Sequence, residues 1–413
     1  MDRFMDRSMT GATNATDATG AIGFVFPTRD RPSDLARTLD ALGRLRVPEH
    51  SGVLVIDNNS ASPAVTPSRL PNGLFVSLIR LDFNAGAAGR NLAIQHLDLA
   101  SEHDWLVLLD DDSAPSPGTD LAAILESQPP DVAAVTADIH LPNQNRRESG
   151  GLPEVPIGCG VAIRAAVFAE IGGYDESFGY YAEEYDLAAK LIAAGHRVAF
   201  DHRFRVEHRK ADAGRDMNLI LARLIRNNGW VMQRWAPERE LELELEHLRT
   251  RYRAIAEKEN AVAGFERGLA ELERTIADQP RTPLTPAHWD RFTGLTAARR
   301  ALAREMVRQP FDRCAITHAG KNERVIRRAL AELTIEVVAD DGAVPLVIGT
   351  MSPGPMLDAL DALDALDTLG ATNQRVIAPW PEAVTESAAP ARSASPVIGV
   401  LGSPRSHRAA RAT

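Results

Sequence analysis

Three consecutive aspartates, Asp110-Asp111-Asp112, directly follow the apolar run Trp105–Leu109. Carboxylates that emerge together at the end of a buried strand repel one another unless a cation sits between them. Alternation along an extended chain points Asp110 and Asp112 to the same side. Hard oxygen ligands suit Mg2+ or Mn2+, which in turn hold phosphate oxygens. The alternative reading is an acidic turn that caps the next helix.

A second acidic group, Glu183-Glu184-Tyr185-Asp186, opens the helical run LAAKLIAAG. Acids are favoured in a first helical turn by the helix dipole, so this cluster also has a purely structural reading. Upstream lie a glycine turn, Gly172-Gly173-Tyr174-Asp175-Glu176, and the aromatic residues Phe178, Tyr180 and Tyr181. Sugars offer CH faces to rings and hydroxyls to carboxylates, so the segment fits a sugar acceptor pocket. A carboxylate there can take the acceptor hydroxyl proton.

His208 follows the strand-like FRV, and imidazole suits Mn2+, which makes it a candidate third ligand beside the aspartates. Its neighbours Arg209 and Lys210 can meet a diphosphate. NAGAAGRN (84–91) exposes backbone N–H groups and supplies Arg90 for a phosphate, although helix–sheet packing explains its small residues equally well. Cys159, between Gly158 and Gly160, reads as a small packing residue.

The elements that must position these groups alternate between strand and helix. AIGFVF (21–26), GVLVIDN (52–58), LFVSLIRL (74–81) and DWLVLLDDD (104–112) read as strands. A helix opens at Pro32-Ser33-Asp34 with Leu35, Leu39 and Leu42 on one face, and another starts near Gly89. This pattern predicts an α/β fold with a mostly parallel sheet flanked by helices. Ligands on such sheets bind at the carboxyl ends of strands, which here carry Pro27-Thr28-Arg29, Asp57-Asn58-Asn59 and the Asp triplet.

After Pro237 the chain becomes charged and helical, with apolar residues at 241, 245, 248, 252 and 255 in heptad-like spacing. Register breaks near Glu259, and Gly264 and Gly268 weaken it, so a helical arm or hairpin is expected over 237–310. A small α/β unit is expected over 311–380, within which DALDALDAL (358–366) is two helical turns rather than a repeat architecture. Residues 1–20 and 381–413 have the composition of a disordered leader and tail, and Met5 and Met9 are alternative starts.

Composition excludes several classes. The chain has 413 residues and a net charge of −10, which argues against nucleic-acid binding. Its two cysteines, Cys159 and Cys314, provide no disulfide framework or structural zinc site and suit a reducing cytoplasm. No window reaches the roughly 18 apolar residues of a membrane span.

Taken in order, FVFPTRDR (24–31), LVIDNNS (54–60), NAGAAGRN (84–91), LLDDDSAP (108–115), GGYDESFGYYAEEYDL (172–187) and VEH (206–208) resemble a family 2 glycosyltransferase of the GT-A fold. The resemblance covers residues 21–236. It implies an inverting transfer of a sugar from a nucleotide-diphosphate donor to a glycan or glycolipid acceptor, typically in bacterial surface polysaccharide or glycolipid synthesis. Pro27, Thr28 and Arg29 would line the nucleotide pocket, with Asp57 on the base, Arg90 and Asn91 near the diphosphate, and Asp111 near the ribose or sugar. Asp110, Asp112 and His208 would hold Mg2+ or Mn2+. Glu184 stands where the family usually has a catalytic Asp; Glu183 and Asp186 are its rivals, and Tyr174 would help line the acceptor site. A cytoplasmic enzyme follows, peripheral to the membrane if its helical arm leans there, or paired with a second copy through that arm. Two other readings are weighed. A sugar-phosphate nucleotidylyltransferase wants a glycine- and basic-rich loop where this chain has Pro27-Thr28-Arg29-Asp30, and a non-catalytic scaffold has no need of acids at 110, 112 and 184.

Overall fold

The computed structural model describes residues 20–95, 104–210, 216–368 and 374–380. The expected tail, and the expected leader apart from Gly20, lie outside the described residues.

Strands β1 (Ile22–Thr28), β2 (Gly52–Asp57), β3 (Phe75–Arg80) and β4 (Trp105–Leu108) pair in parallel in the order β3-β2-β1-β4. Every residue of β1 is buried, as its nearly continuous apolar run requires of a strand covered on both faces. Helix α1 (Pro32–Leu42) turns Leu35, Leu39 and Leu42 onto the sheet. The helix expected near Gly89 begins as a 3-10 turn over Gly86–Asn91 that runs into α2 (Leu92–Gln95).

Beyond β4 the sheet becomes mixed. After β5 (Ser113–Pro115) and α3 (Leu121–Glu126), β6 (Val132–Leu141), β7 (Arg146–Arg147), β8 (Val161–Arg164) and β9 (Arg197–His208) complete a nine-stranded sheet. In it β8 runs antiparallel to both β4 and β6, while β9 runs parallel to β6. Helices α4 (Ala165–Glu170) and α5 (Glu183–Ala193) connect the last strands.

Helix α6 (Met217–Trp235) leads to the hairpin α7 (Glu238–Lys258) and α8 (Val262–Thr275). The hairpin lies against the body of the protein rather than standing out as an arm. Gly264 and Gly268 are what allow it: a Cβ at either would come within 2.2 Å of the Asn218 or Ala222 carbonyl oxygen of α6. These glycines therefore bring α8 onto α6, where the sequence reading had them only weakening a helix. The heptad residues are used within the chain. Leu241 and Leu245 pack on the largest apolar cluster, and Leu248, Tyr252 and Ile255 pack with Leu221, Ile225 and Phe265. A seam consumed in this way is not free to pair with a second copy through these residues.

Helices α9 (Pro286–Thr293) and α10 (Leu295–Arg308) precede a four-stranded parallel sheet, ordered β11-β10-β12-β13. Its strands are β10 (Arg313–Thr317), β11 (Glu336–Val337), β12 (Leu346–Ile348) and β13 (Val376–Ile377), flanked by α11 (Glu323–Glu332) and α12 (Pro353–Thr368). This sheet shares one apolar cluster with the first. Val347, Ile348, Met351 and Trp380 pack in the same cluster as Phe178, Ile192, Phe200 and Trp230.

Candidate active site

The acidic triplet is not extended. Strand β4 ends at Leu108, and the Ser113 N–H donates to the Asp110 carbonyl oxygen at 3.1 Å, closing a turn. The three carboxylates therefore diverge, instead of alternating with Asp110 and Asp112 on one side. Asp110, with 41% of its side chain exposed, accepts from Arg90 at 2.5 Å. Asp111 accepts from Thr28 Oγ1 at 2.8 Å and from Arg31 at 2.9 Å. Asp112, 7% exposed, accepts from the same Arg31 nitrogen at 3.0 Å. Arg31, which sequence reasoning missed, is thus the resident countercharge for two of the three acids.

Antiparallel pairing of β5 with β9 sets Ser113 opposite His208 and so brings His208 beside Asp112. The imidazole stands between two carboxylates: Nε2 is 3.2 Å from Asp112 and Nδ1 is 3.0 Å from Glu148. Burial alone would lower the His208 pKa, but the neighbouring thiol and carboxylates raise it well above its ordinary value. Burial would likewise raise Asp112 and Glu148, yet His208, with Arg31 for one and Lys210 for the other, holds both at about 2. Asp111 goes the other way, pushed by burial up to about 6. Glu148 was not foreseen. Its only sequence signal is an acid just ahead of Ser149-Gly150-Gly151.

Donor atoms of Asp110, Cys159 and His208 lie within 4.8 Å of one another, and Asp112 adjoins His208. A carboxylate and an imidazole fit a divalent cation such as Mg2+ or Mn2+. The Cys159 thiol fits such an ion less well, being soft and raised by burial, while Asp112 lies outside this group and is paired with His208 and Arg31.

A cleft of about 680 Å3 opens over this turn, lined by Pro27, Thr28, Arg29, Arg90, the three aspartates, His208, Glu183 and Glu184. Four expected site residues are absent from its walls. Asp57 is spent on its own loop, accepting from the Ser60 and Ala64 N–H groups and from Arg80. Asn91 holds the Gly173-Tyr174 turn through the Tyr174 N–H and carbonyl. Tyr174 is a core residue, edge-on to Phe168, and not part of an acceptor surface. Asp186 is fully buried and bonded to Arg234, Trp235 and Lys190, which ties α5 to α6 and α5 to itself and removes it as a candidate base.

Glu183 and Glu184 owe their position to an unusual loop. Tyr181 and Ala182, neither of them glycine, both adopt left-handed backbone, with φ of 75° and 67°. Asn227 of α6, wholly buried, donates from its amide to the carbonyls of Phe178, Tyr180 and Tyr181 at 2.7–3.0 Å. Arg226 donates to the Asn227 oxygen, which fixes the amide's orientation. The loop over 84–91 closes from the other side, where the Ala87 N–H donates to Gly179 O and a Cβ on Gly86 would strike that oxygen at 2.3 Å. Burial raises both glutamates, Glu183 well above the ordinary value.

The segment Thr350–Pro355 packs against the loop that carries Glu148. Ser352 donates to Gly150 O, Gly354 packs on the Glu148 carbonyl, and Asp358 and Asp361 grip Arg147. The second sheet thereby clamps the segment that carries Glu148.

A parallel sheet with an acidic turn, an imidazole and basic groups at its carboxyl edge is the arrangement that the resemblance to a GT-A-type glycosyltransferase led us to expect. Residues 24–184 match the family model of glycosyl transferase family 2. The O-antigen biosynthesis protein RfbC of Myxococcus xanthus is 29% identical over 47% of this chain, and the match spans only 18% of that relative's length. Among solved structures, the mannosyltransferase PcManGT of Pyrobaculum calidifontis, in complex with GDP-Man and Mn2+, aligns with a TM-score of 0.43 at 16% identity, over 77% of this chain and 88% of its own. TarS 1–349 of S. aureus, in complex with UDP-GlcNAc, gives 0.44 at 14% identity, over 76% and 92%. No described helix is long and apolar enough to cross a membrane.

Proposed function

We propose that the protein transfers a sugar from a nucleoside diphosphate donor to a hydroxyl acceptor, with inversion, in the synthesis of a surface polysaccharide or glycolipid. The observation that carries this reading is the opening of one cleft onto three things: the Asp110–Asp112 turn, His208 and the half-buried Glu184. The name of the Myxococcus relative supports the polysaccharide assignment. Pro27, Thr28 and Arg29 line the donor end, and Arg90 faces the diphosphate. Asp110, Asp112 and His208 would hold Mg2+ or Mn2+, which when bound neutralises charge on the departing diphosphate. Glu184 takes the acceptor proton as the acceptor oxygen attacks the anomeric carbon from the face opposite the leaving group. Its raised pKa makes it a better proton acceptor than an ordinary surface glutamate. Glu183 opens only on the donor cleft, whereas Glu184 also lines a second cavity, which supports Glu184 over its neighbour as the base.

Calorimetric titration with UDP-, dTDP- and GDP-sugars, with Mn2+ or with EDTA, tests the reading. Wild type is expected to bind one nucleotide class in a metal-dependent way, and Asp112→Asn to lose that dependence while staying folded. Glu184→Gln is expected to keep donor binding and lose transfer. Undiminished metal dependence in Asp112→Asn, or turnover in Glu184→Gln, would refute the corresponding assignment.

A further inference from the structure

Behind Glu184 lies the second cavity, of about 570 Å3, which shares Ser149, Gly150, Tyr181 and Glu184 with the donor cleft. That volume suits a one- or two-sugar ligand. Its far wall is built by elements outside the family 2 match: α7, α9 and the loop after β10. The loop sits where a ligand is expected on a parallel sheet. Strand β10 has β11 on one side and β12 on the other, so the carboxyl ends of β10 and β12 flank the point where strand order reverses. Lys321 lies in that loop, held by the Met351 N–H bond to its carbonyl oxygen.

The charges on this wall are unequal. Arg324 is forked onto Glu244, and Glu323 is paired with Arg327. Arg251 and Lys321 have no such partner: among the described residues no carboxylate comes within 4.0 Å of either. Arg251 lies over the Tyr252 ring and Lys321 over the Tyr185 ring, with its amine on the Tyr185 hydroxyl. His247, on the same wall, has a buried Nδ1 with no hydrogen-bond partner. Two basic side chains without a carboxylate partner and an unsatisfied ring nitrogen thus line this wall, Lys321 against Tyr185, one residue along the chain from Glu184. Neutral sugar hydroxyls do not require that arrangement. A ligand anion would complete it.

We infer that the cavity behind Glu184 receives an acidic acceptor sugar, one that carries a carboxylate or a phosphate ester, and that Arg251 and Lys321 recognise the acid. The inference rests on the proposed transfer reaction for its direction, since Glu184 would then stand between donor and acceptor. Binding of the acid itself needs no donor.

The test is ligand-observed NMR titration of the full chain, without nucleotide and in EDTA, using methyl glucuronide, glucose 1-phosphate and neutral methyl glucoside. One charged probe is expected to bind at least about tenfold more tightly than the glucoside, because a hydrogen bond to a charged group contributes about that much. Which charged probe wins distinguishes carboxylate from phosphate. Arg251→Gln, at an exposed position that the fold tolerates, is expected to erase most of the preference, and adding Lys321→Met to erase the rest. Equal binding of all three probes, or a preference that survives in the double variant, would overturn the inference. Neither readout involves nucleotide or metal, so the outcome is independent of whether Asp112 and Glu184 perform as proposed.

Discussion

Asn227→Ala should damage catalysis from a position that touches no substrate. In the native protein the Asn227 amide holds the carbonyls of Phe178, Tyr180 and Tyr181 in a fully buried setting. The amide has two hydrogens, so its loss orphans roughly two hydrogen bonds, at about 1–3 kcal/mol each for a buried unsatisfied acceptor. The same bonds hold Tyr181 and Ala182 in left-handed backbone, which costs non-glycine residues on the order of 1–3 kcal/mol apiece. The two sums are equal in size, so without the amide the loop has no reason to stay in its present course. Urea unfolding should show a loss of about 2–5 kcal/mol. Transfer measured well below the melting temperature should lose turnover while donor affinity is kept. Asn227→Asp is the discriminating variant. It has nearly the volume of Asn but turns carboxylate oxygens toward three carbonyls, so it should be worse than Ala. An Asp variant milder than Ala would mean that Asn227 merely fills space, and would refute the clamp.

Two further predictions concern buried charge. Burial and the Arg251 charge hold Lys321 down at about 7, so the folded state takes up its proton less readily than the unfolded chain does. That penalty, a few kcal/mol, is fully present below about pH 7 and fades as the pH rises toward 10.5. Lys321→Met should therefore stabilise the protein in denaturant titrations at pH 6 and do little at pH 10; an equal effect at both would show that the amine is not desolvated. Glu148→Gln removes the carboxylate that orients His208, and should weaken Mn2+ binding about 10–100-fold. Electron paramagnetic resonance titration reads this directly, and an unchanged affinity would detach Glu148 from the metal site.

Much of the fold was legible because burial writes itself locally. The apolar runs of β1, β2 and β4 announced a parallel core, and the rule that ligands gather at carboxyl ends led to Thr28, Arg29 and the Asp triplet. His208 was found because it ends a strand, although its pairing partner Ser113 lies far away in sequence. The errors share one cause. Asp57, Asn91, Tyr174 and Asp186 have the residue types of a binding site, but Asp57, Asn91 and Asp186 are spent on partners in their own neighbourhood and Tyr174 is packed into the core against Phe168, and sequence displays neither. The omissions have the opposite cause. Arg31, Glu148, Asn227 and Lys321 act across space on groups tens to hundreds of residues away, and nothing in their immediate neighbours marks them. Gly264 and Gly268 belong with these, because a glycine that weakens an isolated helix is the residue that lets two helices touch.

The second half of the chain, read from sequence as a separate arm and unit, is joined physically to the chemistry of the first. Trp380 packs edge-on against Phe200 of β9, the strand that ends in His208, with ring centroids 5.3 Å apart. Asp358 and Asp361 hold Arg147, Ser352 holds Gly150, and Glu148, which lies between Arg147 and Gly150 in sequence, holds His208. Lys321 meets Tyr185, next to Glu184. The second sheet thus reaches both poles of the cleft, His208 at one and Glu184 at the other, through contacts that exist only while the two sheets share their apolar cluster. The first part of the chain, cut free at the end of α6, would expose Phe200, Ile192 and Trp230 and release the segment that carries Glu148. Packing and site geometry in this protein are therefore a single requirement, and the C-terminal half helps to build the candidate site rather than being an appendage to it.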